Sequence, residues 1–293
     1  MKNNLSIIIP AYNEEESLKL YLPKLINFCE LNKFQLIIVD DGSKDKTLDL
    51  CNMYADTSEI INVVSHKVNK GYGGAIKTGI ETATTKYIIT IDADGQHNFK
   101  DVENLYKEIQ LSNADMIVGS RESYKDKSKF RGFGKKIIRG FANLLMKIEV
   151  YDINSGMKIY RTELAIKYIN LCPDGMSYSD TILLVFINFR HKVLEIPISI
   201  NDRISGVSTI GAMTAIETIR EIFNIIILFN PLKVFVPVSI FIFVLSLIWG
   251  IPLVLEGSGV SVGTLLGLMT SFLVFSIGFL AEQISQIRKN QIK

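Results

Sequence analysis

This chain of 293 residues has few cysteines and little net charge, and the few cysteines argue against a disulfide-rich or zinc-binding protein. The three cysteines, Cys29, Cys51 and Cys172, are odd in number and widely spaced. Since there is no Cys-x-x-Cys pair and no Cys/His cluster, the sequence predicts neither a disulfide framework nor a zinc site, and it fits a reduced, cytosolic domain. The net charge of +2 by itself neither favours nor excludes nucleic acid, and no other signal leads us to expect such a partner.

Long apolar runs are confined to the C-terminal part of the chain, although 48% of all residues are hydrophobic. Residues 1–4 lead directly into a short apolar strand, so we expect no cleavable signal peptide. Residues 234–255 and 260–281 each contain 22 residues without a charge, which is long enough for a helix to cross a hydrocarbon core of about 30 Å. The alternative is a pair of buried core helices, which rarely lack a polar face over such a length.

The charges beside the two apolar segments predict their orientation. Lys233 precedes the first segment, and Arg288, Lys289 and Lys293 follow the second. The connection at residues 256–259 carries no lysine or arginine. By the positive-inside rule, both ends of the pair face the cytoplasm.

Short apolar runs alternate with helical patterns in the first half of the chain. This alternation is typical of an α/β fold with a mainly parallel sheet covered on both faces by helices. The strands are predicted at residues 5–9, 36–39, 61–65, 87–91 and 116–118. Ligands of such sheets bind beyond the carboxyl ends of the strands, and that is where the polar motifs of this sequence lie.

Three polar motifs follow predicted strands, at residues 10–15, 40–45 and 92–96. In the third, Asp92 and Asp94 come directly after a buried strand, where two unpaired carboxylates would repel each other and lose hydration. A divalent cation removes this conflict, and Mg²⁺ prefers one or two carboxylates together with substrate phosphate oxygens. An Asp-x-Asp motif alone is weak evidence, because aspartates are common in solvated loops. Its position beside the other two motifs strengthens it.

Other polar segments have structural explanations as well as functional ones. Asp40 and Asp41 precede Gly-Ser, which is ordinary turn chemistry. The glycine-rich residues 69–75 match neither the dinucleotide fingerprint nor the P-loop, and their glycines permit close approach to a ligand or simply a tight turn. Residues 124–151 are basic and helical in pattern. Residues 210–229 are amphipathic, either on a bilayer surface or packed on the domain.

The motifs together resemble glycosyltransferase family two, which has the GT-A fold, a Rossmann-like arrangement with a mainly parallel sheet. The resemblance is carried, in this order, by PAYNEE, VDDGSKDKT, NKGYGGA, DADGQ and GSR. Residues 152–156, 195–197 and 203–208 narrow it to the polyprenyl-phosphate branch, which includes dolichol-phosphate mannose synthases and bacterial polyprenyl-phosphate glucosyltransferases. It covers about residues 5–210.

The resemblance implies roles for individual residues. Those expected to line the nucleotide pocket are Pro10, Tyr12, Glu14, Asp40, Asp41 and Gly71. Those expected to hold the diphosphate and its Mg²⁺ or Mn²⁺ are Asp92, Asp94 and Gln96, with Asp152 as a further catalytic candidate. Those expected at the acceptor phosphate are Arg121, Lys135, Arg139, Arg203 and Ser208; Arg121 is also a catalytic candidate, and the phosphate that it meets is that of the acceptor or of the donor. The family often has a basic residue after that serine, but here it is Thr209, so Lys135 and Arg139 either supply the charge or belong to a basic surface helix.

The resemblance also implies a reaction and a location. The expected reaction is inverting, metal-dependent transfer of a sugar from a UDP- or GDP-linked donor to undecaprenyl or dolichyl phosphate. The enzyme would be an integral membrane protein with a cytoplasmic catalytic domain, in a bacterial or archaeal cell membrane, and a homo-oligomer is compatible with it. The catalytic domain is expected at residues 1–209, juxtamembrane helices at 210–230 and two transmembrane helices with a basic tail at 231–293. The alternative is a non-catalytic nucleotide-sugar-binding scaffold, against which the intact Asp92 and Asp94 count.

Overall fold

A computed structural model describes residues 4–121, 150–199, 201 and 227–291 of the chain. The described residues divide into two compact units, the first comprising 4–121, 150–199 and 201 and the second 227–291. The described part of the first unit is a sheet with helices on both faces, and that of the second is a pair of long helices. Most of the amphipathic segment predicted at 210–230 lies outside the described residues.

The sheet of the first unit contains seven described strands in the order β3-β2-β1-β4-β6-β5-β7. They are β1 Leu5–Ala11, β2 Gln35–Asp40, β3 Ile61–Ser65, β4 Tyr87–Thr90, β5 Met116–Ser120, β6 Lys158–Arg161 and β7 Val193–Pro197. Strands β1 to β4 are parallel in their pairings, as are β5 and β7, whereas β6 runs antiparallel to β4 and β5. The prediction of a mainly parallel sheet is therefore confirmed, and the five predicted strands end within two residues of their predicted limits.

Helices cover both faces of this sheet. They are α1 Glu15–Asn32, α2 Thr47–Ala55, α3 Tyr72–Thr82, α4 Phe99–Ser112, α5 Thr162–Tyr168 and α6 Tyr178–Asn188. Strand β1 is buried on both sides: Ile7 and Ile9 belong to the core cluster that includes residues of α1 and α4, whereas Ile8 meets Gly79 of α3. A central parallel strand needs apolar side chains on both faces, and this is why the run at residues 5–9 does not alternate with polar residues.

Strand β6 has no counterpart among the predicted strands. It inserts between β4 and β5, with Ile159 opposite Ile89 on one side and Ile117 on the other. Because β6 is antiparallel to both neighbours, its first residue lies at the edge where β4 and β5 end. The loop that precedes β6 is thereby brought to the same edge as the polar motifs.

The second unit contains α7, Leu232–Leu255, and α8, Val262–Gln291, as its long described helices. Both are long and apolar enough to cross a membrane, with mean hydropathies of 2.6 and 2.0. Only 17% of the most apolar window of each helix is buried, whereas a helix in the core of a soluble protein is mostly buried. Small residues let the two helices approach closely, since a Cβ on Gly250 would meet Thr264 and one on Gly267 would meet Ser246.

Candidate functional site

The polar motifs meet at one edge of the sheet. Strand β1 pairs in parallel with β2 and with β4, so the segments that follow these three strands are neighbours. Strand β5 ends beside the start of β6, and two strands, β4 and β6, separate it from β1. The structure thus brings the motifs at 10–15, 40–45 and 92–96 together with Arg121, as the strand pattern predicts.

Side-chain to backbone hydrogen bonds join the loops after β1 and β2. Asn13, which has a left-handed φ of 54°, donates its N–H to Ser43 Oγ over 3.0 Å and accepts from Lys44 N–H over 2.8 Å. The N–H of Glu14 donates to Thr47 Oγ1 over 2.9 Å. These bonds hold the two loops in one fixed arrangement, on which a ligand can be oriented.

Asp40 retains an unused hydrogen-bond acceptor in this arrangement. Its side chain is buried, and its Oδ2 accepts from Ser43 N–H over 3.3 Å. Its Oδ1 is also buried and has no hydrogen-bond partner among the residues that the structure describes. Buried acceptors are nearly always satisfied, so this atom is a candidate contact for the N–H group of a ligand. Pro10 is half-buried nearby at the end of β1, and Tyr12 is exposed.

Asp41 holds the glycine-rich segment in place. One carboxylate oxygen accepts from the N–H of Lys70 and the other from the N–H of Gly71, both over 2.8 Å. The same carboxylate lies 2.6 Å from His66 Nδ1, and His66 Nε2 lies 2.9 Å from Thr78 Oγ1. Asp41 is thus engaged with protein groups, and its contact with a nucleotide base stays a prediction. His66 was not selected from the sequence, because its partners are distant along the chain.

The glycines of the segment at 69–75 allow close approach to another part of the backbone. A Cβ on Gly71, whose φ is +91°, would lie 2.6 Å from the carbonyl oxygen of Asp174. The N–H of Gly74 donates to the same carbonyl over 3.0 Å, and the N–H of Gly73 donates to Gly175 O over 3.2 Å. The close approach is therefore made to protein, and a contact of Gly71 with the nucleotide stays a prediction.

Two polar side chains, Tyr72 and His97, lie against the carboxylate of Asp92. The Asp92 side chain is 39% exposed. Its Oδ1 accepts from the hydroxyl of Tyr72 over 3.1 Å, and its Oδ2 lies 3.5 Å from Nε2 of buried His97. Burial acts to raise the pKa of Asp92, but His97, Tyr72 and the charge of Arg121 outweigh it and hold the pKa below its ordinary value. The carboxylate is therefore ionised at neutral pH.

Asp94 and Gln96 complete the motif after β4. Asp94 is buried, and its Oδ1 accepts from the N–H of Gln96 over 3.1 Å. Among the described residues, no group of three His, Cys, Asp or Glu side chains is placed to hold a metal ion. Mg²⁺ and Mn²⁺ do not require such a group, because they accept oxygen ligands from one or two carboxylates and from substrate phosphates. The oxygen donors of Asp92, Asp94 and Gln96 fit that chemistry.

The loop at 152–156 packs directly against Asp92. A Cβ on Gly156 would lie 2.7 Å from Asp92 Oδ2, so a larger residue in this position would require the carboxylate to move. The carbonyl oxygen of Gly156 accepts from Thr90 Oγ1 over 2.7 Å. Gly156 is therefore part of the site, although its motif served only to narrow the family resemblance.

Asp152, at the other end of this loop, forms an ion pair with Arg121. Its carboxylate accepts from Arg121 Nε over 2.7 Å, from Nη2 over 2.9 Å and from the backbone N–H over 3.0 Å. This forked ion pair raises the pKa of Arg121, and it lowers the pKa of Asp152 despite the opposing effect of burial. The Arg121 side chain is 38% exposed, so solvent reaches part of this side chain.

Strand β7 and the residues after it contact both the loop at 152–156 and the motif at 92–96. Glu195 accepts the N–H groups of Tyr151 and Asp152 over 2.7 and 2.8 Å, which fixes the backbone of Asp152. Beyond the end of β7, the N–H of Asn201 donates to the carbonyl oxygen of Gln96 over 3.0 Å. The remaining residues predicted at the acceptor phosphate lie outside the described residues; they are Lys135, Arg139, Arg203 and Ser208.

Comparison with known proteins gives two family matches. Residues 6–169 match the family described as Glycosyl transferase family 2, and residues 230–287 match the one described as GtrB C-terminal hairpin. An uncharacterized protein of Methanocaldococcus jannaschii is 34% identical over 205 residues, which are 67% of this chain and 81% of that protein. A dolichyl-phosphate beta-glucosyltransferase of Dictyostelium discoideum is 35% identical over 179 residues. That alignment covers 55% of each protein, so this chain spans only about half of that relative.

A solved structure shows the same fold. Glucosyl-3-phosphoglycerate synthase from Mycobacterium tuberculosis, in complex with Mn²⁺, uridine diphosphate and phosphoglyceric acid, has a TM-score of 0.57 and 16% sequence identity. The match covers 77% of this chain and 78% of that one. Together with the family matches, it confirms the predicted GT-A fold followed by a helical hairpin, and the resemblance drawn from the motifs.

Proposed function

The chain belongs to glycosyl transferase family 2, and on this premise we propose that it transfers a sugar from a nucleotide-sugar to a polyprenyl phosphate. The observation that carries the proposal is the meeting of Asp92 with Arg121 at one edge of the sheet, close enough for each charge to shift the pKa of the other. An ionised carboxylate suited to a metal-bound diphosphate thereby lies beside a cation suited to a phosphate. The similarity to a dolichyl-phosphate glucosyltransferase and the match to a GtrB hairpin support a lipid phosphate as acceptor.

The acceptor in this proposal is already an anion. A phosphate oxygen attacks C1 of the sugar without a strong general base, so the protein contributes position and charge. Arg121 would hold a phosphate with Nη1, since Asp152 accepts from Nε and Nη2. Attack from the face opposite the leaving diphosphate inverts C1, so an α-linked donor gives a β-linked product.

Asp92, Asp94 and Gln96 would hold Mg²⁺ or Mn²⁺ in this site. When bound, the ion supplies positive charge that stabilises the leaving nucleoside diphosphate. Asp92 is kept ionised by its neighbours, and burial and the charge of Asp92 keep Tyr72 protonated by raising its pKa well above the ordinary value. Tyr72 can therefore continue to donate to Asp92 and orient it.

The nucleotide would lie across the joined loops after β1 and β2. The unpartnered Oδ1 of Asp40 suits the ring N–H of a base, and Pro10, Tyr12 and Glu14, at the end of β1 and in the loop that follows it, would contact the nucleotide. Both uracil and guanine carry such an N–H, so this contact accepts a donor of either kind. Asp41 would act through the glycine-rich segment that it holds.

The hairpin of α7 and α8 would anchor the enzyme in a cell membrane, bacterial or archaeal. We propose that the catalytic domain spans residues 1–209 and lies on the cytoplasmic side, where nucleotide-sugars are found, with juxtamembrane helices at 210–230 and the hairpin and tail at 231–293. The charges that flank the hairpin support this orientation.

A panel of donors tests the proposal. The purified full chain is incubated with a polyprenyl phosphate, Mg²⁺ or Mn²⁺ and, in separate reactions, several UDP- and GDP-sugars, and the lipid products are analysed by mass spectrometry. We expect one donor class to give a lipid-linked sugar, and the Asp94→Asn variant to give none. Nucleotide binding without any lipid product from the whole panel would instead support the non-catalytic scaffold.

A further inference from the structure

Lys158, the first residue of β6, is buried beneath the candidate site. Its side chain is 1% exposed, although a lysine is almost never fully buried without partners, because removing its charge from water is costly. It was not selected from the sequence.

The ammonium of Lys158 joins the loop at 152–156 to helix α6. It donates to the carbonyl oxygen of Ile153 over 3.0 Å, to the carbonyl oxygen of Ser155 and to Ser179 Oγ on α6. Ser179 in turn donates to the same Ser155 carbonyl over 2.6 Å. An ammonium has three N–H donors, and each of these has an acceptor here.

The two ends of this loop make the contacts on which the proposed reaction depends. At one end Asp152 holds the guanidinium of Arg121, and at the other Gly156 lies against the carboxylate of Asp92. A shift of the loop would therefore move the proposed phosphate-binding cation and the proposed metal ligand at the same time.

We infer that Lys158 is a positioning residue, which pins the loop at 152–156 so that Arg121 and Asp92 face the phosphates of the two substrates together. The inference rests on the proposed function. Lys158 itself contacts neither substrate in this account and acts through the loop.

The charge of Lys158 is set by the groups around it. Burial is the largest effect and lowers the pKa of Lys158, Asp180 on α6 together with Asp152 and Asp92 acts to raise it, and Arg121 acts to lower it; together these effects lower the pKa from 10.5 to about 8. When Lys158 loses its proton, two N–H donors remain for three acceptors, and a positive charge disappears from beneath the loop. We therefore expect the transfer rate to fall as the pH rises through about 8.

The test compares Lys158→Met, which keeps the length but not the charge, with Lys158→Arg and with a surface control, Lys192→Met. Lys192 is exposed and donates to Ser112 O, far from the loop. We expect Lys158→Met to lower kcat roughly 10- to 100-fold, as displaced catalytic groups do, while the Kd for the nucleotide changes less than about twofold. The alkaline fall in kcat near pH 8 should disappear in this variant, and Lys158→Arg should recover part of the rate. Unchanged kcat, or an unchanged alkaline fall, overturns the inference.

Two further measurements keep the inference testable. If Lys158→Met does not fold, Ser179→Ala leaves Lys158 in place and removes only the two hydrogen bonds of the Ser179 hydroxyl, to Lys158 and to Ser155 O, and it should lower kcat about three- to tenfold without weakening nucleotide binding. An unaltered kcat in Ser179→Ala overturns the inference. Hydrogen exchange of the peptide covering residues 150–157, measured on the full chain, should be faster in either variant than in the wild type and in Lys192→Met; unchanged exchange also overturns it. Since hydrogen exchange does not depend on turnover, it decides the question even if no donor gives a lipid product and the proposed function fails.

Discussion

Asp152→Asn should loosen Arg121 without changing the shape of the site. Asparagine keeps one acceptor oxygen but loses the negative charge that faces the forked guanidinium at 2.7 and 2.9 Å. A hydrogen bond to a charged group contributes about 1.5–3 kcal/mol. Arg121 is 38% exposed, so water replaces part of the lost contact. We therefore expect the free energy of unfolding to fall by about 1–2 kcal/mol.

The activity of this variant should fall further than its stability suggests. A guanidinium that is free to rotate no longer holds the acceptor phosphate in line, and small displacements of this kind reduce rates by roughly 10- to 100-fold. The assay measures kcat and KM for both substrates by the yield of lipid-linked sugar. The matched control is Glu163→Gln, because Glu163 is 75% exposed and lies 3.9 Å from Arg161, and it should change neither rate nor stability appreciably.

The pH dependence of unfolding gives an independent check. The pKa of Asp152 is lowered in the folded chain, so the folded state binds fewer protons than the unfolded state in acid. Its contribution to stability is complete above the ordinary aspartate pKa of about 3.9 and is lost as the pH falls through the lower folded value. Asp152→Asn should lack this contribution. If the variant matches the wild type in Tm between pH 3 and 7 and in its kinetics, the role assigned to the ion pair is refuted.

Three further outcomes are expected. Gly156→Ala would place a methyl 2.7 Å from Asp92 Oδ2, so the rate of transfer should fall at least about tenfold. The control Gly175→Ala, whose Cβ meets nothing within 4 Å, should stay active, and equal rates for the two variants would contradict this. Asp94→Asn should abolish transfer with an unchanged circular dichroism spectrum, and chelation should inhibit the wild type; near-normal turnover in metal-replete buffer would exclude the metal site. A cysteine replacing Ser258 should react with an impermeant reagent outside intact cells while a reporter after Lys293 reads cytoplasmic; labelling only after permeabilisation would refute the two-span topology.

The sequence predicted the strands that are buried on both faces and the motifs that follow them. A short apolar run such as residues 5–9, followed by a helical pattern, is most simply explained as a buried strand. A parallel sheet built from such strands places Asp40, Asp92 and Arg121 at one edge. Strand β6 escaped prediction for a physical reason. The strand is four residues long and begins with Lys158, a residue type that is normally exposed. The burial of Lys158 depends in part on Ser179, which lies 21 residues further along the chain.

Asp41 illustrates a second limit of local patterns. The sequence Asp-Asp-Gly-Ser indicates a turn, and the family resemblance indicates contact with a base, but neither identifies the groups that the structure places against this carboxylate. Those groups are His66, Lys70 and Gly71, which are 25 to 30 residues away in the chain. Contacts of this kind arise from the pairing of β2 with β3 and are not encoded in any short window.

Strand β7 explains how residues from distant parts of the chain remain in register at the site. It pairs with β5, which ends just before Arg121, and its Glu195 fixes the backbone of Asp152, the partner of Arg121. The segment that follows it reaches Gln96 through Asn201. One edge strand is therefore attached both to the cation proposed for the acceptor phosphate and to the motif proposed for the metal. Glu195 is attached to the site through its carboxylate, and Asn201 is attached through its backbone N–H. Changes to the other side chains of β7 should therefore alter the site less than Glu195→Gln does.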